Sequence, residues 1–139
     1  MNRSELIERY KLVCKTLELH PSQVVLSAGG ACIMHELRDG TSDLDVHIPR
    51  GSLYTGIRTR AKLQGKTVRH PVRPGQPTEM IQYYEWLSIA PIDHSFTTTE
   101  IDGVFVYDLR SLLIQKLLLN RLKDQKDILA IMSKYTEQV

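Results

Sequence analysis

Two aspartates separated by one residue, Asp43 and Asp45, are the residues whose spacing most directly suggests chemistry. They belong to the run from Ser42 to Ile48, whose apolar residues predict a β-strand. Side chains two residues apart on a strand point to the same side, about 6.6 Å apart along the chain. Both carboxylates can therefore converge on one divalent cation or on a pair of cations. We expect them to bind Mg²⁺, a hard cation that prefers oxygen ligands, with Mn²⁺ as the alternative.

The segment before the aspartates has the features of an anion site. Residues 24–26 are apolar and predict a buried strand, and Gly29-Gly30 then predicts a tight turn that exposes backbone N–H groups. Residues 31–38 predict a short helix ended by Asp39-Gly40. The start of a helix attracts phosphate groups. The phosphate contacts predicted in this segment are Ser27, Gly29, Gly30 and Arg38.

The order of these features resembles the signature of the nucleotidyltransferase superfamily, which has the DNA polymerase β-like fold. The residues that carry the resemblance are SAGGACIMHELRDGTSDLDVHI. The closer resemblance is to a small bacterial and phage branch related to abortive-infection toxins and minimal nucleotidyltransferases. In that branch Gly-Gly often replaces Gly-Ser, and the helix before the acidic pair is longer.

The resemblance implies a mixed β-sheet of nucleotidyltransferase type flanked by helices. It also implies Mg²⁺-dependent transfer of an NMP from an NTP, such as ATP, to a hydroxyl acceptor, and a place in toxin–antitoxin or phage-defence systems. It adds Ser42, in the Thr-Ser pair before the aspartates, to the nucleotide-binding residues. The acceptor stays open between tRNA or other RNA, a protein and a small molecule.

A third carboxylate usually completes a two-metal site and can accept the proton of the attacking hydroxyl. In the family it lies on a later strand, after apolar residues. Asp93, which follows Pro91-Ile92, fits that context best and is assigned as the third metal ligand and catalytic residue. Glu85, at the start of Glu85-Trp86-Leu87, is the alternative.

The C-terminal segment YDLRSLLIQKLLLNRLKDQKDI extends the resemblance to the toxin-related branch. By that likeness Lys116 and Lys123 bind the nucleotide phosphates. A purely structural alternative has about equal weight. In it Lys123 pairs with Asp127 four residues on, and Asp124 caps the last helix.

Composition limits the class of protein. The chain has 139 residues, 42% of them hydrophobic, which suits one α/β domain over residues 1–139 with a mixed sheet and a C-terminal helix pair. A net charge of +2 is not typical of a dedicated nucleic-acid binder. Neither a membrane-spanning run nor a pair of cysteines at metal-ligand spacing is present in the sequence, so we expect a reduced cytoplasmic protein that does not enter the membrane.

Three alternatives accompany the enzymatic interpretation. The fold can be kept without catalysis, in a binding protein that acts as an antitoxin-like or inhibitory partner. The basic region from Arg58 to Arg73 can bind RNA. His47, two residues beyond Asp45, can complete an Asp-x-Asp-x-His zinc or manganese site, although we assign it a supporting position behind the metal ligands.

Helical spacing and turn residues predict the remaining elements. A first helix runs over residues 4–19, with Ser4 as N-cap and Pro21 as its end. A strand that breaks once covers residues 80–89, and Asp102-Gly103 predicts a hairpin. Asp108 is expected to cap the next helix. The apolar face of that helix is predicted to contain Leu109, Leu112, Leu113 and Leu117, and that of the last helix Ile128, Ile131, Met132 and Tyr135.

Overall fold

The fold contains one mixed sheet that joins all seven strands of the described chain. The computed structural model describes residues 1–138, apart from the side chains of residues 52–55 and 138. The strands are β1 (Val25–Ser27), β2 (Leu44–Ile48), β3 (Thr67–Arg69), β4 (Met80–Tyr84), β5 (Leu87–Pro91), β6 (Thr98–Ile101) and β7 (Val104–Tyr107). Their order is β3-β4-β5-β2-β1-β7-β6, with β1–β7 and β2–β5 parallel and the other pairs antiparallel. The predicted α/β class with a mixed sheet is confirmed.

Five α-helices in the described residues accompany the sheet. They are α1 (Arg3–Leu17), α2 (Ala28–Met34), α3 (Ser52–Leu63), α4 (Leu109–Leu119) and α5 (Gln125–Gln138). Helices α4 and α5 form the predicted C-terminal pair, joined by a short 3-10 helix at Leu122–Asp124. Among the described helices, none combines the length and the apolar character needed to cross a membrane.

Strand β2 positions the chemistry because its two faces differ. Leu44, Val46 and Ile48 are fully buried at 0% exposure and lie in the hydrophobic core. Asp45 and His47 alternate with them, so both point to the opposite face of the sheet. Since β2 lies between β1 and β5, this polar face is at the centre of the sheet.

The strand begins two residues later than the sequence predicts. Pairing starts at Leu44, whose N–H donates to the Trp86 carbonyl at 2.7 Å. Asp43 therefore precedes β2 and is exposed. The prediction that Asp43 and Asp45 both lie on the strand is wrong, because the partner strand β5 supplies no ladder position for Asp43.

The junction between β1 and α2 also differs from the prediction. Helix α2 begins at Ala28, which has a left-handed φ of 50°, so Gly29 and Gly30 lie inside the helix and form no turn. A Cβ on Gly29 would come within 2.6 Å of Thr41 Oγ1 and 2.8 Å of Arg38 Nη1. Gly29 is thus required by close packing.

Helix α2 ends at Met34, earlier than predicted. His35 is its C-terminal cap residue, and Glu36 takes a left-handed φ of 61°. The chain then forms the loop that contains Arg38 and leads to β2. The predicted stop at Asp39-Gly40 is wrong, because Glu36 already turns the chain.

The first helix is capped by a different residue from the one predicted. Asn2 Oδ1 accepts from the Glu5 N–H at 2.9 Å, and Glu5 Oε1 accepts from the Asn2 N–H at 3.2 Å. This reciprocal capping box makes Asn2, and not Ser4, the N-cap. The helix ends at Leu17, since Glu18 is left-handed, and so it does not reach Pro21.

The later turns match the prediction, whereas two helix faces do not. The 80–89 segment breaks at Glu85-Trp86, Asp102-Gly103 forms the β6–β7 hairpin, and Asp108 caps α4 by accepting from the Ser111 N–H at 2.8 Å. Leu117 and Met132 are each 53% exposed and lie outside the apolar faces. In α4 the inward positions include Gln115 and Lys116, which are polar.

Candidate functional site

A cleft of about 310 Å³ opens on the Asp45 face of the sheet. Its walls come from the β1–α2 junction, β2, the segment after β5, α4, and the loop of residues 70–79 between β3 and β4. The titratable and hydroxyl side chains that line it are Ser27, Asp45, His47, Arg50, Thr78, Asp93, Lys116 and Arg121. The cleft thus joins cations and carboxylates that are far apart in the sequence.

Asp45 lies in a row of short polar side chains that crosses the sheet. Ser27 of β1 and Ser88 of β5 lie opposite Asp45 on either side, and Gln82 of β4 lies opposite Ser88. The Ser88 hydroxyl donates to Gln82 Oε1 at 3.1 Å, and Arg69 Nη2 donates to the same atom at 2.8 Å. This row cannot be found from the sequence, because only the strand register aligns its members.

The Asp45 carboxylate has an unusual electrostatic setting. Burial raises its pKa, and the nearby charge of Asp43 raises it further, while Lys116, Arg121 and Arg69 act in the opposite direction. No hydrogen bond or ion pair to a side chain of the described residues satisfies the carboxylate. Asp45 is therefore an anion near cations but without a direct partner, which is a suitable state for binding a cation.

The donor set around Asp45 fits Mg²⁺. Asp43 and Asp45 are close enough for their charges to interact, and Mg²⁺ is commonly held by one or two carboxylates together with substrate phosphates. Within the described residues no group of three or more His, Cys, Asp or Glu side chains is arranged to hold a metal. Nδ1 of His47 lies 2.7 Å from the Tyr107 hydroxyl, so this ring nitrogen is already engaged.

Asp93 lines the same cleft from the segment after β5. It follows β5, and its Oδ1 accepts from the Ser95 N–H at 2.9 Å and from the Ser95 hydroxyl at 2.5 Å. The hydroxyl hydrogen bond is the main reason that the pKa of Asp93 is lowered. Beside Asp45 on β5 stands Ser88, and the alternative acid Glu85 lies in the exposed β4–β5 turn away from the cleft lining.

A buried ion-pair cluster backs the cleft. Lys116 Nζ lies 3.1 Å from Asp127 Oδ2 and 3.3 Å from Asp124 Oδ1. Arg38 pairs with Asp127, and Arg121 Nε pairs with Asp124 at 2.8 Å. We call these five residues the Lys116 cluster. Its three cations exceed its two carboxylates, so it attracts an anion to the cleft.

The cluster corrects the structural interpretation of the C-terminal segment. Asp127 pairs with Lys116 and Arg38, and the predicted i, i+4 pair with Lys123 is not formed among the described contacts. Asp124 accepts from the Arg121 N–H at 3.1 Å and belongs to the 3-10 helix before α5. Lys123 is exposed and does not line the cleft.

The structure brings together some of the predicted site residues and not others. Those that line the cleft are Ser27, Asp45, Asp93 and Lys116. Those outside its lining are Gly29, Gly30, Arg38, Ser42, Asp43 and Lys123. Sequence reasoning missed Arg50, Gln115 and Arg121 as lining residues, although Arg121 stands in the quoted Arg-x-Lys-Asp run.

One wall of the cleft depends on a glycine. Gly75, in the loop of residues 70–79, has a left-handed φ of 83° and rests against the C-terminal half of α4. A Cβ at this position would lie 2.9 Å from Leu118 Cβ and 3.0 Å from the Leu119 nitrogen. The loop can therefore approach α4 only because residue 75 lacks a side chain.

Gly75→Ala is expected to lower the free energy of unfolding by about 2 kcal/mol, from the left-handed backbone and the collision with α4 together. Gly65→Ala is the matched control, since Gly65 also has a left-handed φ of 74° but open space around its Cβ position. The control should cost about 1 kcal/mol. Urea denaturation of the two variants measures the difference, and equal losses would show that the loop does not pack on α4.

Comparison of the chain with protein families, with curated proteins and with solved structures finds no match. The fold class stated above comes from the structure itself.

Proposed function

We propose that this protein is a Mg²⁺-dependent nucleotidyltransferase that moves an NMP from an NTP to a hydroxyl acceptor. One observation carries the proposal. The carboxylate of Asp45, which no described side chain hydrogen-bonds or pairs with, faces a cleft, next to Asp43 and to a buried cluster with excess positive charge. An anion that arrives with its own divalent cation satisfies both features, and an NTP–Mg²⁺ complex is such a ligand.

The residues take distinct roles in this proposal. Asp43 and Asp45 would hold Mg²⁺, which would supply positive charge to the reacting phosphate. Lys116 and Arg121 line the cleft and attract the phosphates, while Asp124 and Asp127 keep the lysine in place. This assignment makes Lys116 a phosphate contact, as the resemblance implies.

The reaction breaks one bond at the α-phosphorus and forms another. The acceptor oxygen bonds to the α-phosphorus, the bond from that phosphorus to the bridging oxygen breaks, and pyrophosphate leaves. The hydroxyl proton passes to Asp93 or to water. Since its hydrogen bonds to Ser95 lower the pKa of Asp93, this carboxylate is a weak base.

The direct test measures binding and transfer with the four common NTPs. Calorimetric titration with each NTP and Mg²⁺ should detect binding to the wild type, and α-labelled NTP should label an acceptor from RNA, protein or small-molecule pools. Asp43→Asn and Asp45→Asn should each reduce transfer by about a thousandfold, by analogy with the loss of one strong transition-state contact. Asp39→Asn, a substitution of an exposed aspartate in the preceding loop, is the control. Unchanged transfer in the Asp45 variant would refute the proposal.

A second candidate function is a binding protein that keeps the fold without catalysis. The observation in its favour is that Ser88, and not a carboxylate, lies beside Asp45 on β5. Size-exclusion chromatography with host extract distinguishes the two functions. A stoichiometric partner that still binds the Asp43→Asn, Asp45→Asn double variant, together with absent NTP binding by the wild type, would favour this candidate.

A further inference from the structure

The part of the cleft lined by His47 and Asp93 contains a network of hydrogen bonds that fixes the orientation of the His47 ring. Tyr107 is fully buried at 0% exposure, and its hydroxyl lies 2.7 Å from His47 Nδ1. The Asp93 N–H donates to the same hydroxyl oxygen at 3.3 Å. Asp93 and His47, from different strand ends, are thus tied to one buried phenol.

These hydrogen bonds determine which nitrogen of His47 carries the proton. The Tyr107 oxygen already accepts from Asp93, and Nδ1 is the acceptor that the structure provides for its proton. A buried hydroxyl needs such an acceptor, so Nδ1 is unprotonated and the ring hydrogen is on Nε2. Among the described residues none hydrogen-bonds Nε2, and His47 lines the cleft.

The partner groups in this part of the cleft suit a hydroxyl and not a phosphate. His47 offers one donor, and Asp93 offers a carboxylate whose Oδ2 has no partner among the described residues. A phosphate oxygen would be repelled by that carboxylate, whereas a hydroxyl can accept from a ring N–H and donate to a carboxylate at once. A cleft of about 310 Å³ is near the lower end of the size range of small-molecule pockets.

We propose that His47 and Asp93 form the sugar-binding part of the cleft. His47 Nε2–H donates to an oxygen of a ribose hydroxyl, and Asp93 accepts the hydrogen of that hydroxyl. This inference rests on the proposed function, since it assigns the hydroxyl to a bound NTP. Tyr107 is a positioning residue that acts through His47.

The test uses calorimetry to compare the binding of ATP with that of 2′-deoxyATP and 3′-deoxyATP, each with Mg²⁺. If GTP, CTP or UTP binds more tightly than ATP, that nucleotide and its two deoxy forms are used instead. The wild type should bind one deoxy form at least about tenfold more weakly, the value of a hydrogen bond to a charged group. His47→Leu should reduce this preference to about threefold or less. His47→Gln is the matched variant, because its amide nitrogen takes the place of Nε2, and it should keep most of the preference.

A long-range proton–nitrogen NMR spectrum of the ligand-free protein tests the tautomer separately. It should show His47 Nδ1 unprotonated in the wild type and a changed signal in Tyr107→Phe, with thermal melts to confirm that the variants fold. A protonated Nδ1, or equal binding of ATP and both deoxy forms, would overturn the inference. The proposed function would still stand if NTP binding depended on Asp45. If the wild type binds no NTP, both the inference and the proposed function fail.

Discussion

Replacing Asp45 with asparagine is expected to stabilise the fold while it removes activity. Burial and the charge of Asp43 both disfavour the ionised carboxylate, so its pKa is raised in the folded state. The free energy of unfolding of Asp45→Asn should therefore be about 1 kcal/mol higher than that of the wild type at neutral pH. Substitutions that relieve an unfavourable functional residue typically stabilise a protein by this amount. Loss of the proposed metal ligand would abolish nucleotidyl transfer at the same time.

The pH dependence of this gain identifies its cause. Below the unfolded-state pKa of about 3.9, Asp45 is protonated in both states and the wild type has no penalty. As the pH rises through the raised folded-state pKa, the wild type loses stability relative to the variant. The difference should thus be absent near pH 3 and complete at pH 7.

Thermal melts with and without Mg²⁺ check the prediction. Mg²⁺ should raise the melting temperature of the wild type and leave that of Asp45→Asn unchanged, because ligands stabilise only the state that binds them. Asp39→Asn again serves as control, and should behave as the wild type in both conditions. A less stable Asp45→Asn protein would mean that the carboxylate makes a stabilising contact.

Lys116→Met is expected to destabilise the fold by about 3 kcal/mol at pH 7. The substitution keeps the apolar stem but leaves Asp124 and Asp127 each with a single arginine partner in a buried setting. Breaking a buried ion pair by removing one partner costs this much because a buried charge loses compensation. Lys123→Met removes an exposed lysine of the same segment and should change stability by at most about 0.5 kcal/mol.

Acid titration should reveal the same cluster. Although burial raises the pKa of Asp124, hydrogen bonds from Arg121 and the charges of Lys116 and Arg121 outweigh it and lower the pKa to about 2. The stability that Asp124 contributes is present above its unfolded-state pKa of about 3.9 and is lost as the pH falls toward 2. The loss of unfolding free energy caused by Lys116→Met, measured by urea denaturation across this pH range, should become smaller as the pH falls. Equal stability of the variant and the wild type at pH 7 would contradict the prediction.

The sequence predicts those parts of the fold that depend on local pattern. The alternation of apolar and acidic residues in β2 correctly separates Leu44 and Val46, which are buried, from Asp45. The turn residues at Asp102-Gly103 correctly predict a hairpin. The start of β2 could not be predicted, because it depends on the Trp86 carbonyl, which is more than 40 residues later in the chain.

The candidate site is predictable only in part for the same reason. Asp45 and Lys116 carry a local motif signal, and both line the cleft. The pairing of Arg38 with Asp127 joins residues 89 positions apart, so no window of sequence contains it. Lys116 lies on the inner face of α4 because Asp124 and Asp127, in the segment after the helix, pair with its ammonium group.

The order of the strands has a consequence for synthesis on the ribosome. Val25 of β1 pairs with Phe105 of β7, and Leu44 of β2 pairs with Leu87 of β5. Parallel partners so far downstream close large loops and make early pairing slow. In the nascent N-terminal half β1 and β2 can therefore pair only with each other, and the outer edge of each stays open to aggregation until its downstream partner is made. The acidic pair acquires its surroundings only after translation has passed Asp127.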